Sequence, residues 1–299
     1  MREPSNSSAW EVLTKAAREP GAVWVRLPPA PVRAVAKMAE ASAVALWPLA
    51  VEPLGRRASD APLVDDAALE VLRRAQDGGH ALIPVLDHAG PEAGRFSSER
   101  PIGPAAVPAP TSGRAPLPLD DAGWERVMER YRAAAARLKA GGIGRAILSV
   151  DDDGLLAASL SPRANPGRPF AERLTPALRA ARAVLAEGLE VGVALTVEEL
   201  SPAGLDATDG IEAARALVDV GAGVLVASGG SEALPVLKHR SGARGPDDVW
   251  LASAAWLVGR VAVPVLAQGP CPDPERARAA ALALGLDGVV AVPAREEAP

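Results

Sequence analysis

Residues 147–173, ILSVDDDGLLAASLSPRANPGRPFAER, decide how the rest of the chain is read. Residues 146–150 form a short apolar run of strand type, and Asp151–Asp153 make an acidic turn behind it. An apolar half-turn and a Pro/Asn/Gly/Arg loop then lead into a long helix ending near Gly188. Outward in both directions the same strand–loop–helix unit recurs. Strands are expected at 22–26, 43–47, 81–86, 191–196, 223–228, 263–268 and 288–292. Helices are expected at 31–42, 63–78, 120–139, 208–220, 246–258 and 274–284. Eight short strands alternating with helices predict a single α/β domain, a (β/α)8 TIM barrel.

The barrel is expected to span residues 9–295, behind a mobile tail at 1–8, with a long loop at 88–118 after strand three. The segment after strand eight is too short for an eighth helix. A helix at 9–18, with Trp10, Leu13 and Ala17 on one face, is therefore expected to pack between strands eight and one. A chain of 299 residues with 48% hydrophobic content suits one large core. With only six Trp, two Phe and one Tyr, that core must be filled by Ala, Val and Leu.

The net charge of −5 is spread rather than clustered, which argues against nucleic acid as a partner. No apolar run is long enough for a membrane helix, and MREPSNSSAW lacks the core of a signal peptide, so the expected location is cytoplasmic. The lone Cys271 excludes an internal disulfide framework and a Cys-rich metal site. Consecutive aspartates on a turn point apart, so 151–153 make a poor metal site and none is expected. The expected partner is a small-molecule substrate or another protein, with a homo-oligomer left open.

Barrel sites form from the loops at the C-terminal ends of the strands. Here those ends carry Asp87 and His88, Asp151–Asp153, Glu198 and Glu199, Gly229-Gly230-Ser231, Gln268–Cys271 and Pro293–Arg295. His88 beside Asp87 is a candidate general base oriented by a carboxylate, or a loop residue bonding backbone. Asp152 is the candidate acid or base on the acidic turn. Trp47, Ser149 and Asp151 are the candidate substrate-binding residues. His239, between Lys238 and Arg240, reads as part of a solvated charge cluster.

Gly154-Leu155-Leu156, Leu160-Ser161-Pro162, Asn165, Arg168 and Glu172-Arg173 together resemble the fourth-strand segment of the old yellow enzyme family. Other pieces follow in order: Val51-x-Pro53-x-Gly55-Arg56, Leu86-x-His88, Gly103-Pro104-Ala105-Ala106 and the helical segment 131–141. The resemblance covers residues 22–294. It implies a barrel of FMN-dependent ene-reductases and NAD(P)H:flavin oxidoreductases.

The family's functional residues are replaced. Its substrate-binding His, the His or Asn three positions on and the proton-donating Tyr fall on Ser149, Asp152 and Gly154. The only tyrosine, Tyr131, precedes strand four and reads as core. The strand-three Gln that holds the flavin ring falls on Val85, and the strand-five Arg on Ala194. The phosphate loops become Gly269-Pro270 and Pro293-Ala294, and proline has no N–H to give. Each lost charge-assisted hydrogen bond is worth about 1.5–3 kcal/mol. Four together rival the ~8 kcal/mol of a micromolar ligand.

The expectation is thus loss of FMN-dependent ene-reduction, with no cofactor, and non-redox acid/base chemistry in the vacated pocket. The alternatives are a non-catalytic pseudoenzyme acting as scaffold or partner of an active enzyme, and an FMN-dependent oxidoreductase with altered contacts.

Overall fold

The computed structural model describes residues 10, 24–27, 44–51, 63–93, 100–151, 153–201, 203–230, 249–271 and 273–292. Its eight barrel strands are β1 (Trp24–Arg26), β2 (Val44–Ala50), β3 (Ala81–Asp87), β4 (Arg145–Val150), β5 (Glu190–Glu198), β6 (Leu225–Gly229), β7 (Val265–Pro270) and β8 (Gly288–Val292). They close in the order β1-β8-β7-β6-β5-β4-β3-β2, and every pairing is parallel. The predicted barrel is present.

Four of the helices start behind an aspartate whose side chain satisfies a free N–H of the first turn. Asp65 caps α1 (Asp66–Asp77) by accepting from the Ala68 N–H at 3.0 Å. Asp120 caps α2 (Asp121–Ala140) through Gly123 N–H at 2.7 Å. The short α3 (Leu155–Leu160) and the longer α4 (Phe170–Ala186) complete the fourth unit. Asp206 and Asp273 cap α5 (Ala207–Asp219) and α7 (Pro274–Ala283), and α6 (Val249–Ala255) lies between them in sequence. The capping aspartates explain why α1 begins three residues later than the apolar pattern alone suggests.

Alternation along the strands divides the interior into two layers. Val44 and Leu46 of β2, Ile83 and Val85 of β3, Ile147, Ala194, Val226, Leu266 and Val290 face one another inside the barrel. Ala45, Trp47, Leu49, Leu148, Val193 and Leu195 face outward against the helices. The long segment after β3 has more order than expected. It holds a 3-10 turn (Gly90–Glu92) and a two-stranded ribbon of Ile102–Gly103 with Leu117–Pro118, and Thr111 bonds the buried Glu92.

Of the expected N-terminal helix only Trp10 is among the described residues. It is 1% exposed and belongs to the inner barrel layer. A Cβ added at Gly223 would lie 2.7 Å from Trp10 Cδ1, and one at Gly192 would lie 3.4 Å from its Cζ2. Both glycines stand near the N-terminal ends of strands, so the indole plugs the barrel floor. The rest of 9–18 and the helix expected at 31–42 lie outside the described residues.

Close approach also fixes α5. A Cβ at Gly210 would fall 1.9 Å from the Val197 carbonyl oxygen of β5. Gly210→Ala is expected to destabilise the protein by about 1–3 kcal/mol, despite the gain in helix propensity of ~1 kcal/mol. Urea titration checks it; an alanine variant as stable as the parent would mean that α5 can lift off the strand.

Candidate active site at the barrel mouth

Towards the C-terminal ends of the strands the inner layer changes from apolar to polar. Arg26, the last residue of β1, reaches across the barrel to Asp151, the residue after β4. The two guanidinium nitrogens address the two carboxylate oxygens, with Nη2 to Oδ1 at 3.4 Å. Gln268 of β7 joins them: its Oε1 accepts from Arg26 Nη1 at 3.2 Å and its Nε2 donates to Asp151 Oδ2 at 2.9 Å. Ser149 Oγ donates to Asp151 Oδ1 at 2.6 Å. Asp151 is fully buried and Arg26 is 6% exposed.

Ser149 and Asp151, two of the predicted substrate-binding residues, are therefore brought together and bonded to each other. Trp47, the third, is elsewhere. It faces outward from β2 into the layer packed by the helices, because strand alternation puts Leu46, not Trp47, inside. That assignment to the mouth is corrected. His88 is buried, and its Nδ1 accepts from the Gly90 N–H at 2.9 Å. Its own carbonyl takes the Leu155 N–H at 2.7 Å, which ties the end of β3 to α3. Gly90 has φ +56°, and a Cβ there would lie 2.6 Å from Leu155 Cα, so only glycine fits under that helix start. Asp152, Ser231, His239 and Pro293 lie outside the described residues.

A second polar group sits between the ends of β4 and β5. Arg163 Nη2 donates to Asp153 Oδ1 at 2.9 Å, and its Nε lies 3.8 Å from Glu199 Oε2. Glu199 also accepts from the Leu205 N–H at 3.1 Å. Burial pushes the Glu199 carboxyl above the ordinary carboxylate range, with Asp153 adding to the rise while Ser161, Arg163 and Leu205 oppose it. Asp153 and Glu199 line one cavity of about 10 Å³ with Val150, Thr196 and Gly230, room for a single water.

The backbone here is unusual. Asp153 (φ 55°) and Leu200 (φ 56°) are the non-glycine residues with left-handed backbone among those described. Such conformations persist only where the surroundings hold them, and they gather at functional sites. A register shift between Thr196 and Glu198 marks a bulge in β5 just before Glu199. Sequence reading placed Glu199 and Gln268 at strand ends without assigning them roles, and it missed Arg26 and Arg163 altogether. Arg26 ends an apolar strand, the one signal that pointed to it.

No protein-family model and no curated protein matches the sequence. Solved structures do share its architecture. Morphinone reductase superposes with a TM-score of 0.73 at 18% identity, over 91% of this chain and 81% of its own. The old yellow enzyme homologue from Zymomonas mobilis gives 0.71 at 16% identity, over 90% and 84%. The chain has the old yellow enzyme fold. 2-Naphthoyl-CoA reductase, solved with 2-naphthoyl-CoA, gives 0.74 at 14% identity over 94% of this chain, which spans only 46% of that protein's length.

In an old yellow enzyme barrel the resemblance implies FMN, and the residues present do not fit it. Val85 and Ala194, the counterparts of the ring-binding Gln and Arg, are each 1% exposed within an apolar layer. Gly269 faces outward beneath Trp250, whose ring would meet an added Cβ at 2.4 Å. Pro270 has no N–H for a phosphate. Among the described residues no group of three or more His, Cys, Asp or Glu could hold a metal ion. Among them, too, no helix is long and apolar enough to cross a membrane.

Proposed function

We propose that the chain performs non-redox proton transfer on a small molecule at the rim between β4 and β5, with Glu199 as the acid. The observation that carries this reading is a pair of carboxyl groups in unlike environments at one strand-end cavity, which itself holds no more than a water, so a substrate would dock at its opening. Glu199 holds its proton to higher pH through burial, while Asp153 is ion-paired with Arg163. A buried carboxyl that keeps its proton can serve as the acid beside an ion-paired carboxylate. His88 and Asp152, singled out by sequence, belong to the same reading as further proton carriers.

Incubated in D2O with a panel of small enolisable carbonyl compounds, the protein is expected to exchange deuterium into at least one. Glu199→Gln should slow that exchange roughly 100-fold, the usual scale for a general acid or base. Alanine at His88 or Asp152 tests those residues in the same assay. Equal exchange by Glu199→Gln would remove Glu199 from the mechanism. No exchange by the parent would favour the second reading, a non-catalytic partner of an active enzyme, which the filled centre of the mouth supports. NAD(P)H consumption by flavin-bearing protein would favour FMN-dependent reduction instead.

The same carboxyl gives a pH prediction. Its affinity for the proton is higher in the folded state, so its contribution to stability is complete at low pH and is lost as pH rises through the folded value. Denaturation midpoints of the parent should therefore fall over that range relative to Glu199→Gln. Parallel pH profiles for the two proteins would show that Glu199 ionises as freely folded as unfolded.

A further inference from the structure

We propose that the Arg26–Asp151–Gln268 network closes the centre of this barrel in place of a flavin, so that FMN has no site at the mouth. The network joins three strands, β1, β4 and β7, across the opening. Within it the donors and acceptors answer one another. Asp151 takes bonds from Arg26, Gln268 and Ser149, and Gln268 uses its carbonyl oxygen on Arg26 and its amide on Asp151. The inner apolar layer lies below, with Val85 and Ala194 sealed in it. A planar ring entering this space would have to part a buried ion pair, and it would then face a valine and an alanine.

Arg26 is central because it supplies a buried cation at the end of β1. Its charge is met by Asp151, which is bonded inward.

The experiment is an FMN titration of the full chain, followed by flavin fluorescence and by thermal melting. Denatured parent protein is expected to release no flavin, and added oxidised FMN should neither be quenched nor raise the melting temperature, as a ligand of the native state must. Copurifying FMN, or a melting temperature that climbs with FMN, overturns the proposal, whatever Glu199 proves to do. The second arm is the triple variant Arg26→Met/Asp151→Leu/Gln268→Leu, which replaces the network by apolar filler. It should fold with the parent's circular dichroism and still fail to bind FMN. FMN binding gained by the triple variant would assign the exclusion to the network alone, its continued absence assigns a share to Val85 and Ala194, and the parent's own titration decides the proposal if the variant does not fold.

Discussion

Arg26→Met is expected to cost about 3–5 kcal/mol of stability, because it strands the Asp151 carboxylate in the barrel centre without its cation. Asp151 has no exposure at all and the Arg26 side chain only 7%, so solvent cannot screen the loss. Gln268 and Ser149 would still donate to the carboxylate, which keeps the penalty at the scale of a buried pair broken rather than of a bare ion. Asp151→Leu alone should be as harmful, leaving a buried guanidinium with only the Gln268 oxygen among the network's acceptors. Changing both charges at once behaves differently. Buried pairs replaced by apolar residues of similar volume are often neutral or stabilising. Gln268 then loses two partners, at about 1–3 kcal/mol for buried polar groups left unmet, which is why the full test includes Gln268→Leu. Urea denaturation of the three single variants and the triple variant measures the coupling. Losses that simply add would mean that the residues act independently, and the cross-barrel network would have no energetic meaning.

Trp10→Ala is expected to be nearly as costly, about 3–5 kcal/mol, the range for removing a buried tryptophan. The indole is 1% exposed and fills the floor of the barrel beside Gly192 and Gly223. Arg145, the first residue of β4, sits with its guanidinium carbon 5.9 Å from the ring centroid, a cation–π contact over the face of the indole. The two glycines have no side chain to move into the space, so truncation opens a cavity instead of a slump. Gly223→Ala should hurt for the opposite reason, since its Cβ would press on the same indole. Thermal melts of both variants decide the matter. A Trp10→Ala protein within about 1 kcal/mol of the parent would mean that the floor is closed by something else.

The rhythm of strand and helix was legible because periodicity is a local property of the chain. β4 and β8 lie where the apolar runs predicted them, and Asp120 caps α2 as its position before the helical pattern required. The motif around Leu155, Leu156 and Asn165 led to the old yellow enzyme fold through residues that are themselves structural: the leucines are buried in α3, and Asn165 holds the Ser159 carbonyl at 3.0 Å. The site was legible only in part. Ser149, Asp151 and His88 could be placed at strand ends by counting. The inward or outward choice at Trp47 depends on strand phase, and a shift of one residue reverses it.

What the chain alone determined is therefore the barrel and its caps. Tertiary structure decided which residues meet at its mouth. Arg26 and Asp151 are 125 positions apart, and Gln268 is another 117 beyond Asp151, so no local pattern could pair them. Only barrel closure brings their strands to face one another across a space too dry to leave a charge alone. The same holds for Glu199, whose carboxyl keeps its proton to higher pH because folding buries it beside Asp153, and burial is not a property of sequence.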